Sequence, residues 1–168
     1  MNTLKELLVD EIQDLYHAEN QLVKALPKLA KSATNPELKA GFKAHLEQTR
    51  QHVDRLEQCF QLLGEKTKGK TCHAMKGLVE EGEEAIDEDG PDALRDAKII
   101  GAAQRVEHYE MAAYGTARAF AETLGQDEVA KLLQATLDEE GETNKQLTAI
   151  AETVNNEANA AGDEEEEK

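Results

Sequence analysis

The amino-acid sequence predicts an all-α protein, a bundle of four long helices arranged as two helical hairpins. Ala, Leu, Glu, Lys and Gln, which are good helix formers, dominate the 168 residues, and only 3 prolines and 11 glycines are present to interrupt helices. Apolar residues recur with the helical period of about 3.6 residues, and β-branched residues do not form the alternating runs that are typical of strands. A β-rich fold is therefore excluded.

The first helix is predicted from about Thr3 to Ser32. Its apolar stripe contains leucines at intervals of seven residues, namely Leu8, Leu15, Leu22 and Leu29. Pro27 lies inside this stripe and has no backbone N–H group to donate to the helix. We therefore expect Pro27 to kink the helix or to end it one turn early.

The second helix is predicted to begin after Asn35, which is a favourable N-cap, with Pro36 at the first helical position. Gly64 is a typical C-terminal stop and marks its end. The apolar positions between these signals keep the helical period; they are Leu38, Phe42, Leu46, Val53, Leu56, Phe60 and Leu63.

The third and fourth long helices follow each other closely. The third is predicted from near Pro91 to Gly125, and the fourth is predicted to begin near Asp127 and to fade by about Asn155. Residues 156–168 form an acidic tail that ends in five consecutive acidic residues and a lysine. Because like charges repel, we expect this tail to be disordered, and the predicted domain covers residues 1–155.

The lengths of the connections predict the topology. The first and second helices, and the third and fourth, are joined by only two or three residues, so each pair must form an antiparallel hairpin. A long link, residues 65–89, joins the two hairpins, and within it Met75 to Ile86 is expected to form a short extra helix. Two hairpins joined by one long crossover are the topology of ferritin-like bundles.

Charge and cysteine content exclude several classes of function. With 19 basic and 35 acidic residues the formal net charge is −16, so nucleic acids and anionic lipids would be repelled and we expect neither as a partner. No apolar run approaches the roughly 20 residues that a membrane span needs. The acidic N-terminus does not resemble a signal peptide, and Cys59 and Cys72 make no disulfide framework, so we expect a cytoplasmic protein.

Each long helix carries an acidic residue or a histidine on its apolar stripe, near its middle. Because the hairpins bring the midpoints of the helices to one level, we expect these side chains to meet in the core. The candidates, in chain order, are Glu19, His45, Glu107, Glu110 and Glu140, with His52 and Glu139 as further candidates on the same stripes.

Carboxylates that meet in an apolar core repel one another and lose their hydration, so something must compensate. The stripes carry no Lys or Arg at this level, which leaves protonation or a metal ion. A cluster of carboxylates and imidazoles in a bundle core is typical of a site for a divalent metal, iron or manganese, that holds two ions. Without metal, we expect protonated acids hydrogen-bonded to His45, Thr49, Tyr114 and Thr143.

The candidate ligand set departs from the usual pattern of di-iron carboxylate bundles, which carry Glu-x-x-His on two helices. The third helix offers Glu107-x-x-Glu110 instead. Such a set predicts a lower affinity for metal or one weak site. Taken singly, His45 and His52 could equally be hydrogen-bonded core histidines.

The remaining polar candidates are expected to be structural. Glu11 lies on the buried side of the first helix but near its start, where it should reach water. The acidic run at residues 87–92 lacks the spacing of a calcium-binding EF-hand loop and is expected to be a solvated turn. The pair Cys72-His73 is weak support for zinc. The histidines expected at the surface are His17, His73 and His108.

Several segments of the chain, in the same order and spacing, resemble one protein family. They are Leu15–Leu22, Ala44–Thr49, Cys72–Leu78, Ala102–Glu110, Ala113–Gly115 and Leu137–Glu140. On these segments, within about residues 3–155, the chain resembles the YciE/YciF family of bacterial ferritin-like stress proteins. The resemblance implies a ferritin-like fold with a rubrerythrin-like centre, a homodimer and a stress-response context. It also implies metal-ligand roles for Glu19, His45, Glu110 and Glu140.

Two classes of function follow from these observations. The first is a metal-dependent redox protein, with two iron or manganese ions, that handles peroxide or oxidises ferrous iron. The second is a non-catalytic dimeric stress protein with a weak or degenerate divalent-metal site. The apolar arc of the first helix favours a homodimer in both cases, since Leu7, Tyr16, Val23 and Ala25 broaden it beyond what one core needs.

Overall fold

Five helices follow one another in the part of the chain that the structure describes. The structure is a computed structural model that covers the backbone of residues 1–166 and the side chains of residues 1–161. The helices are α1 (Leu4–Ser32), α2 (Pro36–Leu63), α3 (His73–Ile86), α4 (Asp92–Thr123) and α5 (Asp127–Glu166). The predicted all-α fold, with four long helices and a short one in the crossover, is confirmed.

The ends of the first hairpin match the signals in the sequence. Thr3 and Glu6 form a reciprocal capping box at the start of α1. The Asn35 side chain accepts hydrogen bonds from two backbone N–H groups in the first turn of α2, and Gly64 ends that helix with φ 71°. The early end that we expected at Pro27 is wrong, because α1 continues through it to Ser32.

Packing explains why α1 continues past Pro27. Leu26 and Ala30, on either side of the proline, are both buried in the core, whereas Pro27 itself is exposed. Burial of an aliphatic side chain contributes about 1.5–3 kcal/mol, which is comparable to the roughly 3 kcal/mol that proline costs inside a helix. Tertiary packing therefore outweighs the lost backbone hydrogen bond.

The last helix is longer than its sequence pattern predicted. We expected it to fade by about Asn155, but α5 continues to Glu166, and Val154 and Ala158, on either side of the expected end, are buried. The predicted boundary between a domain at 1–155 and a tail at 156–168 therefore does not coincide with the end of a helix. The last two residues of the expected disordered tail lie outside the described residues.

The four long helices pack in a ring in the order α1, α2, α5, α4. Lys5, near the start of α1, donates to the carbonyl of Leu63 at the end of α2, 3.3 Å away, as expected for an antiparallel hairpin. At the opposite end, Thr34 in the α1–α2 turn contacts Asp96 near the start of α4. The crossover therefore runs the length of the bundle, and α3 packs against α1 and α4.

The hydrophobic core consists of two clusters, one toward each end of the bundle. The cluster near the α1–α2 turn includes Leu26, Leu38, Phe42, Ile99 and Leu147. The cluster near the α4–α5 turn includes Leu8, Ile12, Phe60, Ala121 and Val129. The residues near the middle of each long helix therefore lie in a polar layer between the two clusters. Among the described residues, no helix combines the length and the hydropathy of a bilayer span.

Asp96, at the start of α4, ties the two hairpins together. Its carboxylate is 1% exposed and accepts hydrogen bonds from the backbone N–H of Thr34 at 3.0 and 3.1 Å, the Thr34 hydroxyl at 2.7 Å and the backbone N–H of Asn35 at 2.6 Å. Local sequence patterns do not predict this contact, because Asp96 lies inside α4 and its partners are 61 and 62 residues away in the chain. These bonds hold the turn that presents Asn35 as the N-cap of α2.

We predict that Asp96→Ala destabilises the protein, because it leaves two backbone donors of the α1–α2 turn unpaired. Hydrogen bonds to charged groups suggest a loss of about 2–3 kcal/mol in the free energy of unfolding, measured by urea denaturation. Asp54→Ala, at an exposed position in the middle of α2, is the control and should change stability by less than about 0.5 kcal/mol. Equal effects of the two substitutions would contradict this role of Asp96.

Candidate metal centre

The polar layer brings together six ionisable side chains from all four long helices. Each residue is at most 4% exposed. They are Glu19 from α1, His45 and His52 from α2, Glu107 and Glu110 from α4, and Glu140 from α5. Each lies on the apolar stripe of its helix, so the same periodicity that buries the core also turns these side chains inward.

The six residues form two groups with the spacing of metal ligands. His45, Glu107, Glu110 and Glu140 make one group, and Glu19, His52 and Glu140 make the other, with the ligand atoms of each group within 4.8 Å of one another. Glu140 belongs to both groups. One carboxylate can therefore bridge two adjacent cation positions.

His45 faces the carboxylates through one ring nitrogen and neutral polar groups through the other. Its Nε2 lies 3.5 Å from Glu107 Oε1 and 3.8 Å from Glu140 Oε2. Its Nδ1 lies 3.4 Å from Gln48 Oε1 and 3.4 Å from Thr143 Oγ1. The ring orientation leaves Nε2 directed at the first group.

His52 lies among three carboxylates and is fully buried. Its Nδ1 is 3.0 Å from Glu140 Oε1 and 3.4 Å from Glu19 Oε1, and its Nε2 is 2.8 Å from Glu139 Oε2. Burial alone would lower the pKa of His52, but Glu140 and Glu19 outweigh it and raise the pKa to about 10. In the metal-free protein His52 therefore acts as an internal cation.

The pKa values of the carboxyl groups in the layer are shifted in different directions. Burial, reinforced by the charge of Glu140, raises the pKa values of Glu107 and Glu110 well above the ordinary value for Glu. Burial also raises the pKa of Glu19, although His52 opposes it. For Glu140 burial acts in the same direction, but His52 and His45 lower its pKa overall. Without metal, negative charge is concentrated on the shared carboxylate.

Most of the potential ligand atoms in the layer have no hydrogen-bond partner. Both oxygens of Glu110 are buried and unpartnered, and the contact between His52 Nδ1 and Glu140 lacks the alignment of a hydrogen bond. The full set comprises Glu19 Oε2, His45 Nε2, His52 Nδ1, Glu107 Oε2, and both carboxylate oxygens of Glu110 and Glu140. Buried polar atoms are normally satisfied, so this concentration indicates a place for a cation. Carboxylate and imidazole donors fit iron and manganese.

Glu139 and Arg55 lie at the edge of the layer, and neither belongs to the two ligand groups. Arg55 donates two hydrogen bonds to Glu139, at 2.7 and 2.8 Å, and one to Thr136 Oγ1 at 3.2 Å. Arg55 lowers the pKa of Glu139, which keeps it ionised beside His52. The stripes carry no Lys or Arg at this level, but the long Arg55 side chain reaches Glu139 from the edge of the α2 stripe. Glu139 lies outside both ligand groups and orients His52.

Of the hydroxyl groups near the layer, that of Tyr114 plays the expected role, whereas those of Thr49 and Thr143 donate to backbone carbonyls. Tyr114 is fully buried and donates to Glu19 Oε1 at 2.5 Å, as we expected. The Thr49 hydroxyl donates instead to the backbone carbonyl of His45 at 2.9 Å, which is usual for a threonine inside a helix. The Thr143 hydroxyl lies 3.4 Å from His45 Nδ1 and donates to the backbone carbonyl of Glu139 at 3.1 Å.

The other candidates lie outside both groups. Glu11 is half-buried, and His73 and His108 are exposed, as expected. Among the described residues, neither Cys72 nor His73 belongs to a cluster of potential metal ligands. His17 is not simply a surface residue: its Nδ1 accepts a hydrogen bond from the backbone N–H of Cys72 at 3.2 Å and so holds the crossover against α1. In the expected turn at 87–92, Arg95 bonds the carbonyls of Glu88 and Gly90.

Comparison with known proteins gives consistent matches over nearly the whole chain. Residues 3–160 match the family described as "Domain of unknown function (DUF892)". Protein YciF from Escherichia coli is 43% identical over 157 residues, covering 93% of each protein. Its crystal structure, described as that of a stress protein, has a TM-score of 0.90 to this structure and covers 93% of this chain and 99% of that chain.

Two further solved structures extend the comparison. YcfI from Rhodopseudomonas palustris is 43% identical with a TM-score of 0.85, covering 88% of this chain and 94% of that chain. Symerythrin from Cyanophora paradoxa is 20% identical with a TM-score of 0.67, covering 92% of this chain and 86% of that chain. The likeness to symerythrin concerns the fold alone, and it confirms the predicted ferritin-like bundle.

We predict that Tyr114→Phe destabilises the metal-free protein by about 1–3 kcal/mol, because it leaves another buried oxygen of Glu19 without a donor. The matched control is Tyr16→Phe, which removes a 3.0 Å hydrogen bond to Glu57 on the half-buried outer side of α1. That change should cost less than about 1 kcal/mol, since water can replace the lost donor. Chelator-treated proteins are compared by urea denaturation, and a larger loss for Tyr16→Phe would contradict the assigned role of Tyr114.

Proposed function

The chain belongs to the DUF892 family, in agreement with the predicted resemblance to YciE/YciF, and from that premise we propose that it binds two divalent metal ions in its polar layer. The single observation that carries the proposal is the set of buried, unpartnered ligand atoms shared between two groups of residues. One group, with His45 and three carboxylates, and a second, with His52 and two, would each hold one ion. Glu140 would bridge them.

Iron and manganese fit this donor set better than a softer metal, since the ligands are carboxylates and imidazoles and both cysteines lie elsewhere. When bound, such ions would supply one-electron redox chemistry at a site shielded from bulk water. The residues of the chain would provide the remaining functions. Tyr114 and Arg55 would keep Glu19 and Glu139 in place, and Glu139 would orient His52.

The stress context comes from the relatives. YciF of Escherichia coli is described as a stress protein and is 43% identical to this chain over 93% of its length. We therefore assign the metal centre to a role in the stress response, in which the bound ions handle peroxide or ferrous iron. The expected cytoplasmic location agrees with this role and stays a prediction.

A second candidate function, a stress protein with one functional ion, is favoured by the position of His52. Its ring contacts Glu19, Glu140 and Glu139, so a protonated imidazole can neutralise this group in place of a metal ion. The first group, around His45, would then hold the single ion. Stoichiometry separates the two candidates, because a metal titration saturates at two equivalents per chain in the first case and at one in the second.

We predict that ferrous or manganous ion stabilises the protein under anaerobic conditions. A ligand that binds only the folded state raises the free energy of unfolding by about 2.7 kcal/mol at 100 times its dissociation constant, and the melting temperature should rise with metal concentration. Glu110→Gln removes one charge and keeps the shape, so this variant should lose most of the metal-dependent shift. Its metal-free form should be no less stable than the parent, because burial and the neighbouring acids already disfavour an ionised Glu110, and the neutral amide of Gln avoids that penalty.

The control for this substitution is Glu142→Gln, which changes an exposed residue on α5 that pairs with Lys145. It should respond to metal as the parent does. A parent protein whose melting temperature does not respond to either ion would refute the metal proposal. The layer would then be a network of protonated acids and His52.

We also propose a homodimer, which rests on the family resemblance rather than on the apolar arc of α1. Tyr16 is engaged within the chain, since its ring packs edge-on against Phe60 with 5.9 Å between the ring centroids. Ala25 lines a groove formed by α1, α3 and α4. Leu7 and Val23, both half-buried, keep the arc broad. Multi-angle light scattering at micromolar concentration should give twice the chain mass of 18.5 kDa. A monomer mass under these conditions would overturn the proposal.

A further inference from the structure

A cavity of about 140 Å³ connects the polar layer with the surface between α2 and α5. His45 and Glu107 form its inner wall, and the exposed Ala44 and Gln146 lie at its rim. This volume exceeds that needed for one water molecule several-fold. It is therefore a path along which a small molecule can reach the residues of the first ligand group.

The polar side of the cavity can bind a hydroxyl group. Gln48 and Thr143 line it on opposite helices, and the side-chain oxygen of each is 3.4 Å from His45 Nδ1. Amide and hydroxyl groups both donate and accept hydrogen bonds. A bound molecule with an O–H group could thus be held beside His45 without any charged partner.

The charge of the lining favours an uncharged molecule. Glu107 is the acidic residue of the lining and lies at its inner end, and the formal net charge of the chain is −16, so an approaching anion is disfavoured. The described residues at the rim are neutral, unlike the carboxylate-lined mouth that would attract a hydrated cation. The lining therefore offers an anion no Lys or Arg partner and offers a cation no carboxylate at the rim.

The opposite side of the cavity is apolar. Phe42, Leu147 and Ile150 line it, and Gly41 leaves open space next to Ile150, whose Cδ1 atom would be 4.0 Å from a Cβ at that glycine. An alkyl group of a few carbons can pack there and gain free energy by leaving water. With one polar wall and one apolar wall, the cavity favours a small molecule that has a polar end and an alkyl end.

We propose that this cavity binds a small neutral hydroperoxide with an alkyl group, its O–O end beside His45, Gln48 and Thr143 and its alkyl end against Phe42 and Ile150. The proposal rests on the proposed function for its purpose, since it names the class of molecule that the metal centre would receive. Binding itself depends only on the residues of the chain, so it can be measured without metal. Hydrogen peroxide, which lacks the alkyl group, is expected to bind more weakly.

The test is a nuclear magnetic resonance titration of the full-length protein, treated with a chelator so that paramagnetic ions do not broaden the spectra. The probe is tert-butyl hydroperoxide, and the signals are the methyl groups of Leu147 and Ile150 and the ring of His45. We expect saturable shifts with a dissociation constant in the millimolar range, as is usual for a ligand of so few atoms. Pivalate, an anion with the same tert-butyl group, should bind about tenfold more weakly or worse.

Two variants fill the cavity from its outer part. Ala44→Phe adds a ring at the exposed rim, and Gly41→Leu occupies the open space beside Ile150. Both should abolish the shifts while circular dichroism and the melting temperature stay close to those of the parent. Ala112→Phe, the same enlargement at an exposed position of α4, is the matched control and should bind the probe as the parent does.

Each outcome decides between the proposals. Unsaturable shifts, equal binding of pivalate, or unchanged binding in both filled variants would overturn the hydroperoxide site, even if metal stabilises the protein. Selective binding of the hydroperoxide by a protein that does not respond to metal would support the cavity and refute the metal centre.

Discussion

A layer of buried acids and imidazoles across the middle of the bundle is the constraint on which the rest of the structure depends. Glu19, Glu110 and Glu140 are each 0% exposed, between two apolar clusters that supply the stabilising burial. Bringing carboxylates together in an apolar core costs free energy, so the surrounding helices must hold the layer in place. The packing at both ends of the bundle does this, and it explains why the layer lies at the midpoint of each helix.

Contacts outside the layer serve the same purpose. Asp96 fixes the turn between α1 and α2, and Cys72 and His17 hold the start of α3 against α1. Cys72 also contacts Tyr109, whose hydroxyl donates to Asp14. These bonds secure the long crossover at both hairpins. The position of each ligand candidate along its helix is therefore fixed from the ends, although the layer itself has few satisfied hydrogen bonds.

The sequence was sufficient to predict the helices and most of the layer, because both depend on one periodicity. Glu19, His45, Glu110 and Glu140 were predicted from their places on apolar stripes, and the structure brings them together. Arg55 was missed because the position of a residue on a helix shows where its side chain starts but not how far a long side chain extends. The continuation of α1 past Pro27 and of α5 past Asn155 was missed because Ala30 and Ala158 are buried against other helices, which local signals do not contain.

The central claim is that the polar layer is a site for two metal ions. Its most direct test is a crystal structure of protein purified anaerobically without chelators, with anomalous difference maps measured on both sides of the iron and manganese absorption edges. Two anomalous peaks are expected, one among His45, Glu107, Glu110 and Glu140 and the other among Glu19, His52 and Glu140. Maps without a peak in the layer, with its carboxyl groups hydrogen-bonded to one another, would contradict it.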